Sequence, residues 1–451
     1  MLFTLLSFFL ALAAAQRPGN YIEEIHPPLQ WTRCSSPEAC NPVNGSLVLD
    51  ANLRWVQNTK FDNCFTDGTW NEEYCDTSEN CTRNCVIEGI DSYKNTFGID
   101  PANGSVSLKL KHYVDFGYNT APRLFLLEEE NKYQTFVLLG NEFTFDVDLS
   151  TVGCGINSAL YFVAMDADGG MAKFPTNEAG AKYGTGYCDA QCPKDVRFVS
   201  GKANSDFWKP SEYYPPSGTG RYGSCCPEFA VWDSNAHSFS MSSHTCPWPG
   251  FHICEDGYDC EAILDSQDRR YAKQCDPYGC IYNPTRMGVP GFYGKGKVVD
   301  TNRKFTVITR FEEDRVYQIF VQDGKRIDTP APEWEGIPKQ SGLTAEMCET
   351  ATNVFEELDR FGSNGGWKTH NELLSRPLVL AMTINTDSYS HNLWLDGVYP
   401  PEAGDMGIPG AVRGDCPLEG SDPFTVEKQN PRAKVIWSNI RFGPVGLTVA
   451  V

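Results

Sequence analysis

The chain has 451 residues, with 38 basic against 58 acidic side chains and a net charge of −20. A field of that sign repels phosphate backbones and makes nucleic acid a poor partner, whereas a neutral polymer meets no such penalty. The 18 cysteines, an even count, suit an oxidising compartment and a disulfide framework; a zinc site is the weaker reading, because only 7 histidines are present and none forms a ligand-spaced set with a Cys pair.

At the start, Met1–Ala15 (MLFTLLSFFLALAAA) is an apolar run ending in small residues. It predicts a secretory signal peptide cleaved after Ala15, and hence an extracellular mature chain. The run is shorter than the ~20 apolar residues of a spanning helix, and no later segment is apolar for that long, so no membrane association is expected. Asn44, Asn80 and Asn103 each open an Asn-X-Ser/Thr sequon, the acceptor for glycosylation. Period-two alternation then dominates: Val106, Leu108 and Leu110; Phe143, Phe145, Val147 and Leu149; Phe305, Val307 and Phe311; and, near the end, Ile436, Ile440 and Phe442. Such patterning marks strands with one buried face. Asp323-Gly324 predicts a hairpin turn between two strands within 316–327. One helix is expected, capped by Thr344, with Met347, Ala351, Phe355 and Leu358 on one face and Gly362 at its end. Long Gly/Pro-rich stretches at 211–223 and 247–273 are loops punctuated by cysteines, and loops of that length are unusual unless functional or cross-linked. With no repeat or linker to divide it, residues 16–451 are expected to form one domain. The predicted class is all-β: a sandwich of two antiparallel sheets with disulfide-pinned loops over one face.

The run Gly223-Ser-Cys-Cys-Pro-Glu-Phe-Ala-Val-Trp-Asp-Ser-Asn235 resembles the signature Cys-Cys-Ser-Glu-Met-Asp-Ile-Trp-Glu-Ala-Asn of glycoside hydrolase family 7, the retaining cellobiohydrolases and endoglucanases. The likeness runs from about Gln16 to about Pro444. It includes Asp50-Ala-Asn-Leu-Arg-Trp55, Leu139-Gly-Asn-Glu-Phe143, Met165-Asp-Ala-Asp-Gly-Gly170, Tyr183-Gly-Thr-Gly-Tyr-Cys-Asp189 and Pro409-Gly-Ala-Val-Arg-Gly414. The resemblance implies a concave, concanavalin-like β-jelly roll. It also implies a secreted monomer, needing no cofactor or metal, that cleaves cellulose or a related β-1,4-glucan.

Carried over residue by residue, the resemblance makes Glu228 the nucleophile and Asp233 the acid/base. The family's assisting Asp is here Ala230, and its acid/base Glu is here an Asp. Residues 228 and 230 share a strand face, but position 233 belongs to the opposite parity, so a bulge between them is required. The shorter acid sits back by roughly 1.5 Å, and a misplacement of about 1 Å can lower a rate on the order of 100-fold. Loss of the assisting carboxyl removes a charge-assisted bond of ~1.5–3 kcal/mol. An attenuated hydrolase is therefore expected, the alternative being a catalytically silent, glucan-binding relative.

By the same resemblance Trp55 and Trp394 are sugar platforms, with Leu53 and Asn385 standing where two further tryptophans would be. Asn157, Tyr161, Asp189, Gln191 and His244 fall near the cleavage point. Arg123, Arg270, Arg286 and Arg413 fall along the substrate path and product end, where Tyr278 and Ile281 replace acidic residues. The implied disulfides are Cys34–Cys40, Cys64–Cys85, Cys75–Cys81, Cys154–Cys416, Cys188–Cys226, Cys192–Cys225, Cys246–Cys275, Cys254–Cys260 and Cys280–Cys348. A further family pair is absent, with Val86 at one of its positions. The long loops favour an enclosed tunnel of cellobiohydrolase type, and no carbohydrate-binding module is expected before Val451.

Overall fold

The computed structural model describes residues 14–449 except 37–38, 103, 116, 213–216, 256–258, 261–274 and 404–406. Most of the signal segment, Asn103 and Arg270 therefore lie outside the described residues.

Alternating sequence becomes two largely antiparallel sheets packed face to face. The inner sheet runs, neighbour by neighbour, Pro28–Ser36, Ala39–Leu49, Arg123–Glu129, Leu378–Asn385, Asn157–Val163, Glu228–Ser234, Phe239–His244 and Cys280–Tyr282. The outer sheet runs Ile99–Ala102, Ser105–Lys109, Lys434–Pro444, Asn141–Asp148, Phe305–Phe311, Val316–Gln322 and Lys325–Asp328. They join at one edge, where Thr32 and Arg33 run parallel to Arg441 and Phe442. Between them lies one apolar layer that includes Phe143, Phe145, Phe162, Phe229, Trp232 and Trp437. Trp232 of the inner sheet meets Phe145 and Phe305 of the outer at ring-centroid distances of 5.8 and 6.1 Å.

The expected hairpin turn is present: Asp323 (φ 52°) and Gly324 (φ 73°) are both left-handed, the backbone of a type I′ turn. Two expectations are corrected. In Lys434–Pro444 the core face is Val435, Trp437 and Ile440, while Ile436 and Phe442 are only half-buried. The parity changes at Asn439, left-handed at φ 51°, where the pairing with Asn141–Asp148 slips between Thr144 and Asp146. The helix after Thr344 ends at Val354 rather than at Gly362. Glu356 turns left-handed at φ 56°, Asp359 caps a separate short helix at Arg360–Ser363, and Leu358 is left 48% exposed. Thr344 does cap the first helix, accepting from the Met347 N–H at 3.1 Å.

All nine disulfides implied by the resemblance are formed, and no cysteine is left free. No helix among the described residues is long and apolar enough to cross a membrane. Asn44 is exposed and Asn80 half-buried.

Candidate active site

The strand Glu228–Ser234 carries the required bulge. Against Asn157–Val163, Ala230 lies opposite Tyr161 and Trp232 opposite Leu160, so Val231 has no partner. Against Phe239–His244, Ala230 lies opposite Ser242 and Asp233 opposite Ser240. The extra residue reverses the parity of the strand beyond it. Phe229 and Trp232 both enter the apolar layer, and Glu228, Ala230 and Asp233 share the opposite face. The bulged carbonyl is not left bare: Val231 O accepts from Gln318 Nε2 at 2.7 Å, across the layer from the outer sheet. Gln318 is 1% exposed and also donates to Thr309 Oγ1 at 3.1 Å.

A loop is clamped over this face. Cys188–Cys226 and Cys192–Cys225 tie residues 188–192 to the entry of the strand, which is why adjacent cysteines precede it. The sheet-like pairing of Tyr222–Cys225 with His252–Glu255 lies alongside, and Gly223 is needed there because a Cβ would stand 2.5 Å from Cys254 Sγ. From the clamped loop, the Ala190 N–H donates to Glu228 Oε2 at 3.3 Å, the one hydrogen bond to this carboxyl among the described residues. Asp189 is better held, accepting from Tyr187 Oη at 2.5 Å and the Gln191 N–H at 2.8 Å. Tyr187 Oη lies 3.0 Å from Tyr161 Oη, and the Arg123 guanidinium covers the Tyr187 ring at 3.5 Å. Arg123 in turn donates to Asp50 Oδ2 at 2.8 Å. Gln191 Nε2 is spent on the Pro277 carbonyl at 2.7 Å.

Asp233 Oδ1 accepts from Asn157 Nδ2 at 2.8 Å, and Asn157 Oδ1 accepts from the Ser234 N–H at 3.0 Å, so the amide is fixed at both ends. Burial pushes the Asp233 carboxyl up to about 6, opposed only by the Asn157 donor. Glu228 is held well above the usual carboxylate range, by burial first and then by the negative charges of Asp189 and Asp233. The Ala190 N–H and the Arg123 charge oppose that penalty only in part. Burial pushes the His244 imidazole below its usual range; its Nε2 lies 2.8 Å from Ser242 Oγ and its Nδ1 3.0 Å from the Asp276 carbonyl. Gly279 makes room for the ring, since a Cβ there would fall 2.6 Å from it.

Strand order sets the two ends. Four strand spacings, roughly 19 Å, separate the Glu228 strand from Ala39–Leu49, whose continuation carries Trp55. Two spacings, roughly 10 Å, separate it from Cys280–Tyr282 at the other edge, where half-buried Ile281 pairs with Ser242. At that short end Arg286 and Arg413, both nearly fully buried, share one carboxylate: Glu357, at 2.5 and 3.3 Å. Burial, and then the neighbouring Arg286 charge, push Arg413 down to about 9. The Nε of each arginine has no partner among the described residues. Tyr278 carries the Arg360 guanidinium on its ring at 4.5 Å. Half-buried Trp394 sits on the short helix Leu393–Asp396, which is tied to the end of the Glu228–Ser234 strand by Asp396 accepting from Asn235 Nδ2 at 2.6 Å.

The expected residues thus fall into three groups: Glu228, Asp233, Asn157, Tyr161, Asp189, Gln191, His244 and Arg123 around the bulged strand; Trp55 towards the long end; Arg286, Arg413 and Trp394 towards the short one. Sequence reasoning passed over Tyr187, Ser242, Glu357 and Gln318. Tyr187 and Ser242 were within reach, each standing two residues from a singled-out neighbour on a shared face. Glu357 and Gln318 are distant in sequence from anything they support.

The sequence profile described as Glycosyl hydrolase family 7 matches residues 18–449. The cellobiohydrolase from Melanocarpus albomyces, solved with cellotetraose, is 50% identical over 97% of this chain and 100% of its own, with a TM-score of 0.92. A family 7 cellobiohydrolase from Daphnia pulex is 38% identical over 96% of this chain and 100% of its own, with a TM-score of 0.93. The Humicola insolens endocellulase EGI is 30% identical over 96% of this chain and 100% of its own, with a TM-score of 0.79. A match over nearly the whole length, on a jelly roll that carries Glu228 and Asp233 on one face of a bulged strand, places this chain in glycosyl hydrolase family 7, the cellulose-hydrolysing cellobiohydrolases and endoglucanases.

Proposed function

We propose that the chain is a secreted cellobiohydrolase-type β-1,4-glucanase that works by retaining double displacement at a reduced rate. The observation that carries this reading is the bulge at Val231, which puts Glu228 and Asp233 on one face. In the first step the Glu228 carboxylate attacks the anomeric carbon while Asp233 gives its proton to the departing glycosidic oxygen. In the second, Asp233 takes a proton from water as that water displaces Glu228, and two inversions leave the configuration retained. A carboxyl pushed up to about 6 suits the acid's part.

The long arm towards Trp55 and the short arm towards Arg286 and Arg413 suit an enzyme that grips a chain and releases a short product. TM-scores of 0.92 and 0.93 to the two cellobiohydrolases against 0.79 to the endocellulase point the same way. Nine disulfides support an oxidising, extracellular setting. Rate reduction has two sources beyond the shortened acid. Ala230 offers Glu228 no hydrogen bond, and burial with the charges of Asp189 and Asp233 disfavours the ionised form of Glu228 that attacks. The same two observations favour the second reading, a glucan-binding protein without turnover.

The test is product analysis on amorphous cellulose. Cellobiose released as the β-anomer is expected; a single inverted product would overturn the mechanism, and binding without any release would establish the second reading.

A further inference from the structure

Three aromatic rings, two of them in the open, lie together around Trp55, on the continuation of the Ala39–Leu49 strand. Tyr21 (60% exposed) and Phe61 (50% exposed) pack with ring centroids 4.6 Å apart. Tyr21 also meets half-buried Trp55 edge to face at 6.0 Å. The Trp55 ring is anchored by its indole N–H, which donates to Asn63 Oδ1 at 2.5 Å. Core packing does not account for this group, because two of its three rings keep half or more of their surface in water. Phe61 moreover holds a left-handed backbone, φ 70°, which costs a residue with a Cβ about 1–2 kcal/mol and is an outlier for a bulky side chain. The turn around it is over-determined. Asn58 Oδ1 accepts from the N–H groups of Lys60 and Asp62 at 2.8 and 3.0 Å, the Asn58 N–H donates to the Asp62 carbonyl at 3.0 Å, and Tyr74 Oη donates to Asp62 Oδ2 at 2.9 Å. Strain enforced in this way to hold an exposed ring is what functional surfaces show.

We propose that Tyr21 and Phe61 continue the groove outward from Trp55 as a rail for β-1,4-glucan, holding sugar rings that have not yet entered. The proposal rests on the reading of the groove as a glucan site and adds a binding surface to it. Three features select the occupant. The rail is continuous with Trp55, at the end of the longer arm. A neutral polymer is not repelled by a chain of net charge −20. The rings are inclined at 45° and 80° to one another, so they present no flat plane to a crystal face and suit a single, separated chain.

The test compares the Glu228→Gln protein with the same protein carrying Tyr21→Ser and Phe61→Asn; asparagine tolerates the left-handed backbone, so the turn is kept. Binding is measured to amorphous cellulose, to microcrystalline cellulose and to cellotetraose. An aromatic contact of about 0.5–1.5 kcal/mol is roughly a 2- to 12-fold effect per ring. Affinity for amorphous cellulose is expected to fall about 5- to 50-fold, with cellotetraose binding unchanged within twofold. With Glu228 restored, the same two substitutions should leave aryl lactoside turnover unchanged, since that substrate reaches only the centre. Unchanged affinity for amorphous cellulose, while Trp55→Ala weakens it, would overturn the rail and leave the groove reading intact. A loss confined to microcrystalline cellulose would overturn the single-chain occupant. If the Glu228→Gln protein binds none of the three, the rail and the groove reading both fall.

Discussion

Restoring the two departed carboxyl positions together should accelerate this protein sharply. Asp233→Glu adds one methylene and moves the acid outward by about 1.5 Å. The present carboxyl is drawn back by Asn157, whose amide is fixed by its second bond to the Ser234 N–H; the longer side chain would reach past that amide into the groove. At on the order of 100-fold per ångström of misplacement, this change alone is worth about two decades. Ala230→Asp places a carboxyl between Glu228 and Asp233, opposite Ser242, where a hydrogen bond to Glu228 of ~1.5–3 kcal/mol corresponds to roughly 10- to 150-fold. Neighbouring changes do not add cleanly, so the expected gain for the pair is at least about 100-fold, carried by kcat. The assay is initial-rate hydrolysis of an aryl lactoside at pH 5, with kcat and KM resolved for the native protein, each single variant and the double variant. A native protein already as fast as the double variant would refute the reasoning, as would a gain confined to KM.

The alkaline limb of kcat/KM should fall near pH 6, because Asp233 must hold its proton to act as acid and does so only below its raised value; that limb should lie below the one of a full-motif relative assayed alongside. Asn157→Ala removes the donor that favours the charged form and should move the limb to higher pH, and a shift to lower pH would contradict the assignment. Gln318→Leu leaves the Val231 carbonyl unpaired and should cost about 1–3 kcal/mol in urea unfolding; kcat should drop while cellotetraose affinity holds, and a stability loss with kcat intact would separate the bulge from the chemistry. Glu357→Gln takes the shared counter-ion from two buried guanidiniums, so urea midpoints should fall and cellobiose inhibition should change, whereas Glu333→Gln, at an exposed site, should alter neither.

Much of the fold was legible because its signals are local. Alternation names strands, Asp323-Gly324 names a turn, and Thr344 names a cap, each decided by a few neighbouring residues. The errors came where one residue overrides the periodic signal. Asn439 and Glu356 adopt left-handed backbone that no hydropathy pattern records, and each ends the face or helix that periodicity would have continued. At the site, position 233 could be seen to need a bulge because its parity was wrong. What secures the bulge could not be seen, since Gln318 acts across the sandwich from 87 residues away. The same holds for Glu357, which reaches Arg286 across 71 residues and Arg413 across 56.

The order of the inner sheet has a consequence for how specificity could change. A polymer laid across strands, not along one, meets a different strand at each advance of about 4.8 Å. Each strand's outward row is therefore a separate station: Arg123 and Phe125 on one, Thr383 and Ala381 on the next, then Ala159 and Tyr161, then Asp233 and Ala230, then Ser240 and Ser242. On the proposed glucan path, substitution at one station alters the grip on one stretch of polymer without disturbing the pairing that builds the others. Leu53, Asn385 and Ile281 fall at three different stations or their extensions. The departures at 230 and 233 share a single one, so affinity and chemistry can drift independently on the same floor.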